Sequence, residues 1–591
     1  IYIFEQKEFM VSTTSLLDQA VLFTKDWLRA FAEGDDFLNV LEESFGDRFN
    51  LEKAEALRQV WTAGDFTQLP AIQIESGSVL QRVNGAYAAQ SNKIFLSQDF
   101  VEVNLGKPEA IASVLLEEIG HFVDAQINSV DSSGDEGAIF SALVRGKSLI
   151  TEQLTFLQAE DDTFTLADGT QIEAAATLIV DTLVDENDGN FSAGDLSLRE
   201  AIALATPGDT IAFANSGTIT LTQGELKIDK AITINGDIDG NKTPDITISG
   251  SSSTRVFNVD NESVSNTIAV RISSLRITEG SSKAGAGILN RENLVLTNST
   301  LDSNQSLWGG AIYNGFGFPD DPFHIRNSSS VVSIINSTIN SNYNYFTSRI
   351  YGRGSAIYNN RYGNVIISNS TFSGNSSYEI FSGGPFVTPE FKNSVIFNNY
   401  NGTLDISSST LYRNNTELDI DNLGTATLKN SIIGGSNFGG FREGKAFYGN
   451  APTLIGTNLI EDRSIDSTNT NGVINGDPRL GLLQNNGGST FTHQLLTGSP
   501  AINAGDNTVA QDTLDIDNDG DISEPLPLDQ RGEERFYGGK IDLGAFEVTA
   551  SDQLVSLTVQ QGLAKEYLGT ASFIVARNTK VGDLEVLIKV N

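Results

Sequence analysis

The chain has 591 residues, of which 75 are acidic and 38 basic, giving a net charge of −37. That balance argues against nucleic acid or an anionic membrane surface as a partner and favours solubility and divalent cations. With no cysteine, disulfides and thiolate metal sites are excluded, and no apolar run approaches the length of a membrane span.

The single methionine is Met10, so residues 1–9 read as read-through ahead of a start there. No basic, apolar, then small-residue leader is recognisable. Residues 10–177 form an acidic α+β domain; residues 1–177 hold 29 acidic and 11 basic side chains, nearly half the net charge. Apolar residues recur at helical spacing over 16–32 and 51–61, and residues 93–101 read as a strand. Residues 108–128 predict a helix with Ile111, Val114, Leu115, Ile119, Phe122 and Val123 on one side. Residues 158–176 predict a strand pair turning at Asp168-Gly169.

Within the helix over 108–128 runs LLEEIGHFVDA, followed by Gly134-Asp135-Glu136-Gly137. This stretch resembles the H-E-x-x-H helix of zinc peptidases, with Glu117 standing where the first histidine ligand belongs. The resemblance implies Glu118 as general base and Glu117, His121 and Glu136 as an unusual, hard zinc set. The competing reading is a decayed zincin scaffold in which His121 is a packed or exposed bystander. Segments of this kind also resemble the front of large bacterial secreted repeat proteins, which implies export.

Residues 178–453 carry a different pattern. Ser197-Leu198-Arg199-Glu200 is a capping box, and Leu198, Ala201, Ile202 and Ala205 form the apolar stripe of a short helix suited to close the end of a stack. After it, N-S-T-like triplets recur from Asn298, Asn336, Asn369, Asn393 and Asn430, with Ser408 in one copy, at intervals of 38, 33, 24, 15 and 22 residues. The units consist of short β-branched strands punctuated by Asn, Gly and Ser, which predicts a right-handed parallel β-helix whose asparagines form turn ladders at left-handed bends. DLSLREAI resembles the CSLREA module of bacterial surface β-helices, with Leu196 in place of its cysteine. The G-G-A-I and F-x-x-N units resemble polymorphic outer-membrane-protein repeats.

Two loops alternate carboxylates around glycine as Ca²⁺ coordination requires. One holds Asp237, Asp239, Asn241 and Asp245; the other holds Asp515, Asp517, Asp519 and Asp521, with Leu526 where an EF-hand would have its bidentate glutamate. The competing reading for both is a solvated Asp/Gly turn. Residues 454–548, with DPRLG, NNGGST, GSPAINAGD, DQRG and IDLGAFE, resemble the module that closes choice-of-anchor surface proteins. Residues 549–591 resemble the start of a Calx-β-like sandwich, a partial β-sandwich that stops in mid-strand and reads as truncated.

These features predict a mainly β protein, a monomeric rod of roughly 50–60 Å at ~4.8 Å per coil. It is expected to be secreted or cell-surface, calcium-stabilised, and structural, adhesive or glycan-binding, with an extracellular glycan or matrix component as partner. A carbohydrate-active lyase or hydrolase is the alternative, with Asp320, Asp321, His324 and Arg326 as its candidate cluster. A metallopeptidase at Glu118 is the third reading.

Overall fold

A computed structural model describes the chain apart from residues 1, 76–79, 81–83, 104–107, 129–131, 133–134, 147–148, 150–153, 155–156, 158–162, 166–170, 174–176, 192–193, 206–208, 264–266, 318–328, 347–351, 380–392, 439–441, 462–471, 513, 515–523, 550–551, 553–554, 560–572 and 578–591. Strands of three to five β-branched or aliphatic residues stack into three parallel sheets, and the chain passes through them in turn. Sheet 1 has ten strands, from Thr177–Val180 to Thr453–Ile455. Sheet 2 has ten, from Gly217–Thr220 to Val473–Asn475, and sheet 3 has eight, from Leu226–Ile228 to Lys445–Gly449. This is the predicted parallel β-helix.

Register is kept residue upon residue, because an inward side chain must meet its counterpart in the next coil. In sheet 2 one column runs Ile277, Leu301, Ile339, Phe372, Leu411, Ile433, Ile460. The members from Ile277 to Ile433 are fully buried, and Ile460 nearly so. Strand Asn293–Thr297 alternates half-buried and buried positions, as a strand with one face on a core should.

The N-S-T triplet has one task per letter. Asn298, Asn336, Asn369, Ser408 and Asn430 turn the corner from sheet 1 to sheet 2 with φ of 48°, 48°, 47°, 45° and 47°, the left-handed bend expected of them. The following serine points inward. Ser299 N donates to Ser337 Oγ at 3.1 Å, Ser337 N to Ser370 Oγ at 3.2 Å, Ser370 N to Ser409 Oγ at 3.1 Å and Ser409 N to Ser431 Oγ at 3.2 Å. The copy placed at Asn393 is corrected: Ser394–Asn398 pairs with Ile357–Asn359 and belongs to sheet 3. Its asparagine, Asn398, serves another ladder in which Asn290, Asn314, Asn359, Asn398 and Asn422 join Nδ2 to Oδ1 at 2.8, 2.9, 2.7 and 2.8 Å. A third ladder links Asn304, Asn342, Asn375 and Asn414. Each amide in these two ladders thus has a partner one coil away.

Helix Leu198–Leu204 closes the N-terminal end. Ser197 and Glu200 form the capping box, and Leu198, Ala201 and Ile202 join the apolar column. Arg199 fixes it, donating to both oxygens of Asp185 at 2.8 and 3.2 Å and to the carbonyls of Glu225 and Gly224.

The described residues between 477 and 549 do not extend the stack. They run back along sheet 2 as an arm, so ten coils at about 4.8 Å give a rod of roughly 45 Å, shorter than expected. The third letter of the triplet holds this arm. Thr338 Oγ1 donates to the Phe491 carbonyl at 2.6 Å, Thr371 Oγ1 to Gln530 Oε1 at 2.6 Å, and Thr410 Oγ1 accepts from Ala545 N at 3.0 Å. Beneath it Tyr412, Ile432, Leu459, Leu480, Leu495, Leu543 and Phe546 form a separate apolar cluster.

The N-terminal region has helices Tyr2–Glu33, Phe37–Phe45, Leu51–Thr62, Pro108–Ile127 and Glu136–Val144 around a five-stranded sheet. The strand expected over 93–101 ends at Ser97, whose hydroxyl faces the N–H of Phe100, and the chain continues as helix Gln98–Val103. Strands Thr163–Thr165 and Gln171–Glu173 pair antiparallel as predicted. Near the other end Val555–Val559 pairs antiparallel with Phe573–Arg577.

Candidate functional site

Four places collect functional side chains. In helix Pro108–Ile127, Glu118 and His121 turn inward and are almost wholly buried. His121 Nδ1 lies 2.8 Å from Glu136 Oε1, and Glu136 opens the next helix after the cap Asp135, whose carboxylate accepts from Ala138 N at 2.7 Å. The two helices touch at Gly120 and Gly137. A Cβ on Gly137 would sit 2.5 Å from His121 Nε2, so glycine alone leaves room for the imidazole beside that backbone. Glu118 reaches Gly85 on the neighbouring strand. Glu117 is half-buried and within electrostatic reach of Arg145, so of the predicted set the structure brings His121 and Glu136 together. Among the described residues Glu117, His121 and Glu136 do not form a three-donor group. An apolar cavity of ≈ 140 Å³ borders Leu115 and Ile119 of the same helix; neither Glu118 nor His121 lines it.

The second place is the corner loop between Thr233–Asn235 and Ile246–Ser249. Oxygens of Asp237, Asp239 and Asp245 lie within 4.8 Å of one another. Backbone donors hold them there: Gly240 N and Lys242 N to Asp237 at 2.9 and 3.0 Å, Asn241 N to Asp239 at 3.1 Å, and Ile238 N to Asp245 at 2.9 Å. Asn241 Oδ1 is turned to the N–H of Thr243 at 2.6 Å. This acidic triad can bind a metal such as calcium, with water completing the six to eight oxygens the ion takes. The second predicted calcium loop, Asp515, Asp517, Asp519 and Asp521, lies outside the described residues, as do Asp320, Asp321, His324 and Arg326. Leu526, which breaks the EF-hand pattern, is a core residue packed with Ile335, Ala510 and Ile541.

The third place is the base of the arm, where charge is buried. Arg531 donates to Asp529 at 2.9 Å and to Asp552 at 2.8 Å, with its guanidinium 3.7 Å over the Phe546 ring. Arg535 bridges the arm to the stack through the carbonyls of Gly544 and Ser408. Burial pushes Glu547 up to about 9, helped by Asp542 and opposed by Arg535. Burial likewise lifts Asp542 to about 6, although it accepts from Asn503 N and Val548 N at 2.5 and 2.7 Å.

The fourth is the corner from sheet 3 to sheet 1. The outward column on sheet 3 stacks Tyr313, Tyr358 and Phe397 with ring centroids 5.0 and 4.8 Å apart, all buried. Just beyond it Tyr362 and Tyr400 are 36% and 54% exposed, with exposed Arg361 and Asn401 beside them. Sequence reasoning passed over these tyrosines. The signal was available: NRYGN and NYNGT are one turn in consecutive coils, with aromatic residues where Asn and Gly suffice.

No family model matches the chain, and no curated protein does. Among solved structures, a pectate lyase is similar at 14% identity, covering 63% of this chain and 97% of its own, with a TM-score of 0.27. A PL6-family alginate lyase is similar at 14% identity, covering 54% of this chain and 55% of its own, with a TM-score of 0.18. The likeness is weak in both cases, and the parallel β-helix of this chain stands on its own strand pairings.

Proposed function

We propose that the chain is a secreted or cell-surface β-helix that acts as a structural and adhesive scaffold toward extracellular glycans. The observation that supports this is the division of its polar side chains. The inward asparagines of the sheet 3 corner are consumed in a coil-to-coil ladder, which stiffens the stack. The outward turns between sheets 3 and 1 keep tyrosine, arginine and asparagine in solvent, as a surface that engages hydroxyl-rich polymers would. Its partner is a glycan or matrix component, and calcium at Asp237, Asp239 and Asp245 stabilises the N-terminal coils.

Cleavage of the bound polymer, in the manner of a lyase, is the second reading, motivated by the fold it has in common with polysaccharide lyases. Uronate polymers are polyanions, and a protein of net charge −37 repels them unless cations intervene. One experiment separates the two: full-length protein is titrated against neutral and uronate polysaccharides while unsaturated products are followed by ultraviolet absorbance. Binding without products supports the scaffold; product formation establishes the lyase; binding to none of the polymers ends both.

For the N-terminal region we propose a zincin-like scaffold, because His121 is packed between Glu136 and the backbone of Gly137. Stoichiometric zinc that disappears in His121→Ala, with peptide cleavage lost in Glu118→Gln, would establish the metallopeptidase instead.

A further inference from the structure

We infer that the turn pair 360–364 and 399–403, at the corner from sheet 3 to sheet 1, is a stacking platform for the pyranose rings of a neutral polysaccharide. This rests on the glycan reading above and narrows it to one place and one class of polymer.

The first support is the position of two rings. The column Tyr313, Tyr358, Phe397 is covered, yet Tyr362 and Tyr400 stand in solvent on consecutive coils. A pyranose has one face of C–H groups and a rim of hydroxyls, which is the complement of a phenol face with a polar edge.

The second is backbone strain. Tyr362 has φ 63°, and the residue in register with it one coil on, Asn401, has φ 60°. Asparagine accepts the left-handed region readily, whereas a bulky aromatic residue there is a true outlier. Such outliers cluster at ligand-binding sites, where the surroundings enforce them.

The third is a rigid floor with donors at its edge. Asn399 Nδ2 donates to Asn360 Oδ1 at 3.0 Å, and Asn359 Nδ2 to Asn398 Oδ1 at 2.7 Å, so one coil's turn is fixed on the next. A Cβ on Gly402 would lie 2.5 Å from Asn398 Oδ1; glycine is required for the turn to sit this close. Arg361 holds its guanidinium 6.0 Å from the centre of the Tyr400 ring, which orients the ring and leaves N–H groups for sugar hydroxyls. Against a protein of net charge −37, an uncharged polymer is the one that approaches without repulsion.

The test uses the full chain in affinity electrophoresis through gels containing β-glucan, mannan, xylan, galactan or polygalacturonate. Wild type is expected to be retarded by at least one neutral polymer, and Y362A/Y400A to bind that polymer at least tenfold more weakly, with an unchanged melting temperature. If the alanine variant fails to fold, Y362N/Y400N, which suits the left-handed corner, makes the same comparison. Wild type and double variant binding a neutral polymer equally would overturn the platform and leave the wider glycan reading standing. Retardation by polygalacturonate alone would overturn the neutral assignment, and retardation by none would overturn both the platform and the wider reading.

Discussion

The β-helix and the N-terminal region bury polar groups in opposite ways. In the stack, burial is repetitive: Ser337 and Ser370, or Asn314 and Asn359, make the same bond in successive coils, so each group is satisfied by a copy of itself. In the N-terminal region it is singular: His121 has Glu136, and Asp124 has Asn128 and Ser132 at 2.7 and 2.6 Å, with no copy among the described residues. A repeated bond ties a group to the coils on both sides, so cutting one strands partners above and below; a singular one leaves a bare charge when its partner goes. The difference also explains why the first kind leaves a period in the sequence and the second does not.

The largest effect is expected where a ladder is cut at its middle. Asn359 donates to Asn398 Oδ1, to the carbonyl of Gly363 at 2.9 Å and to that of Thr403 at 3.0 Å, and accepts from Asn314. Asn359→Ala should cost about 3–4 kcal/mol in urea unfolding, since its amide bonds to the coils on both sides are lost and their partners stranded. Exposed Asn401→Gly, one turn away and suited to the φ of 60° there, should stay within about 0.5 kcal/mol. Equal losses would mean that the ladders do not carry the stack.

His121→Ala should cost about 3 kcal/mol by stranding the Glu136 carboxylate. The double variant His121→Leu/Glu136→Leu should recover most of it, because two apolar side chains replace a pair rather than half of one. Recovery that failed would indicate that the pair does more than satisfy itself.

Third is the pH response of the arm. Glu547 is raised from 4.5 to about 9 and Asp542 from 3.8 to about 6, both chiefly by burial. The stability these carboxyls lend is full below their unfolded values and is lost as pH rises through the folded ones. Docking of the arm should therefore weaken progressively between pH 5 and pH 9, seen as faster proteolytic release of the arm. Glu547→Gln, neutral throughout, should flatten that slope; an unchanged slope would place the titration elsewhere.

The smallest effect is calcium. Binding at Asp237, Asp239 and Asp245 to the folded form alone should stabilise by about 1 kcal/mol at moderate excess of ion. Asp239→Asn should remove the Ca²⁺-dependent rise in melting temperature. A rise that persists would assign it to another loop.

What could be read in advance follows the same division. The β-helix, its left-handed asparagine corners and its capping helix are local or periodic, and the residues declare them. The error at Asn393 arose because a triplet resembling the corner motif sits in a sheet 3 strand, where only the pairing of Ile357 with Ile396 reveals the register. The arm was beyond reach for another reason. Gln530 donates to Thr338 Oγ1 and Thr371 donates to Gln530, across 192 and 159 residues, and no spacing in the chain encodes such a match. His121 and Glu118 were placed correctly on one helix, but the contact with Glu136 and Gly137 depends on how two helices cross.

The arm changes how the rod must come apart. A stack whose coils touch only their neighbours can fray from its open end, one coil at a time. Here Ser489 donates to Asn298 while Asp506 and Asn430 exchange bonds at 2.8 and 2.9 Å, so a single segment grips coils at both ends of the repeat region. Loosening the last coil then pulls on a tether fixed several coils away. The zipper becomes a clasp, and the coils between its two grips open together or stay closed.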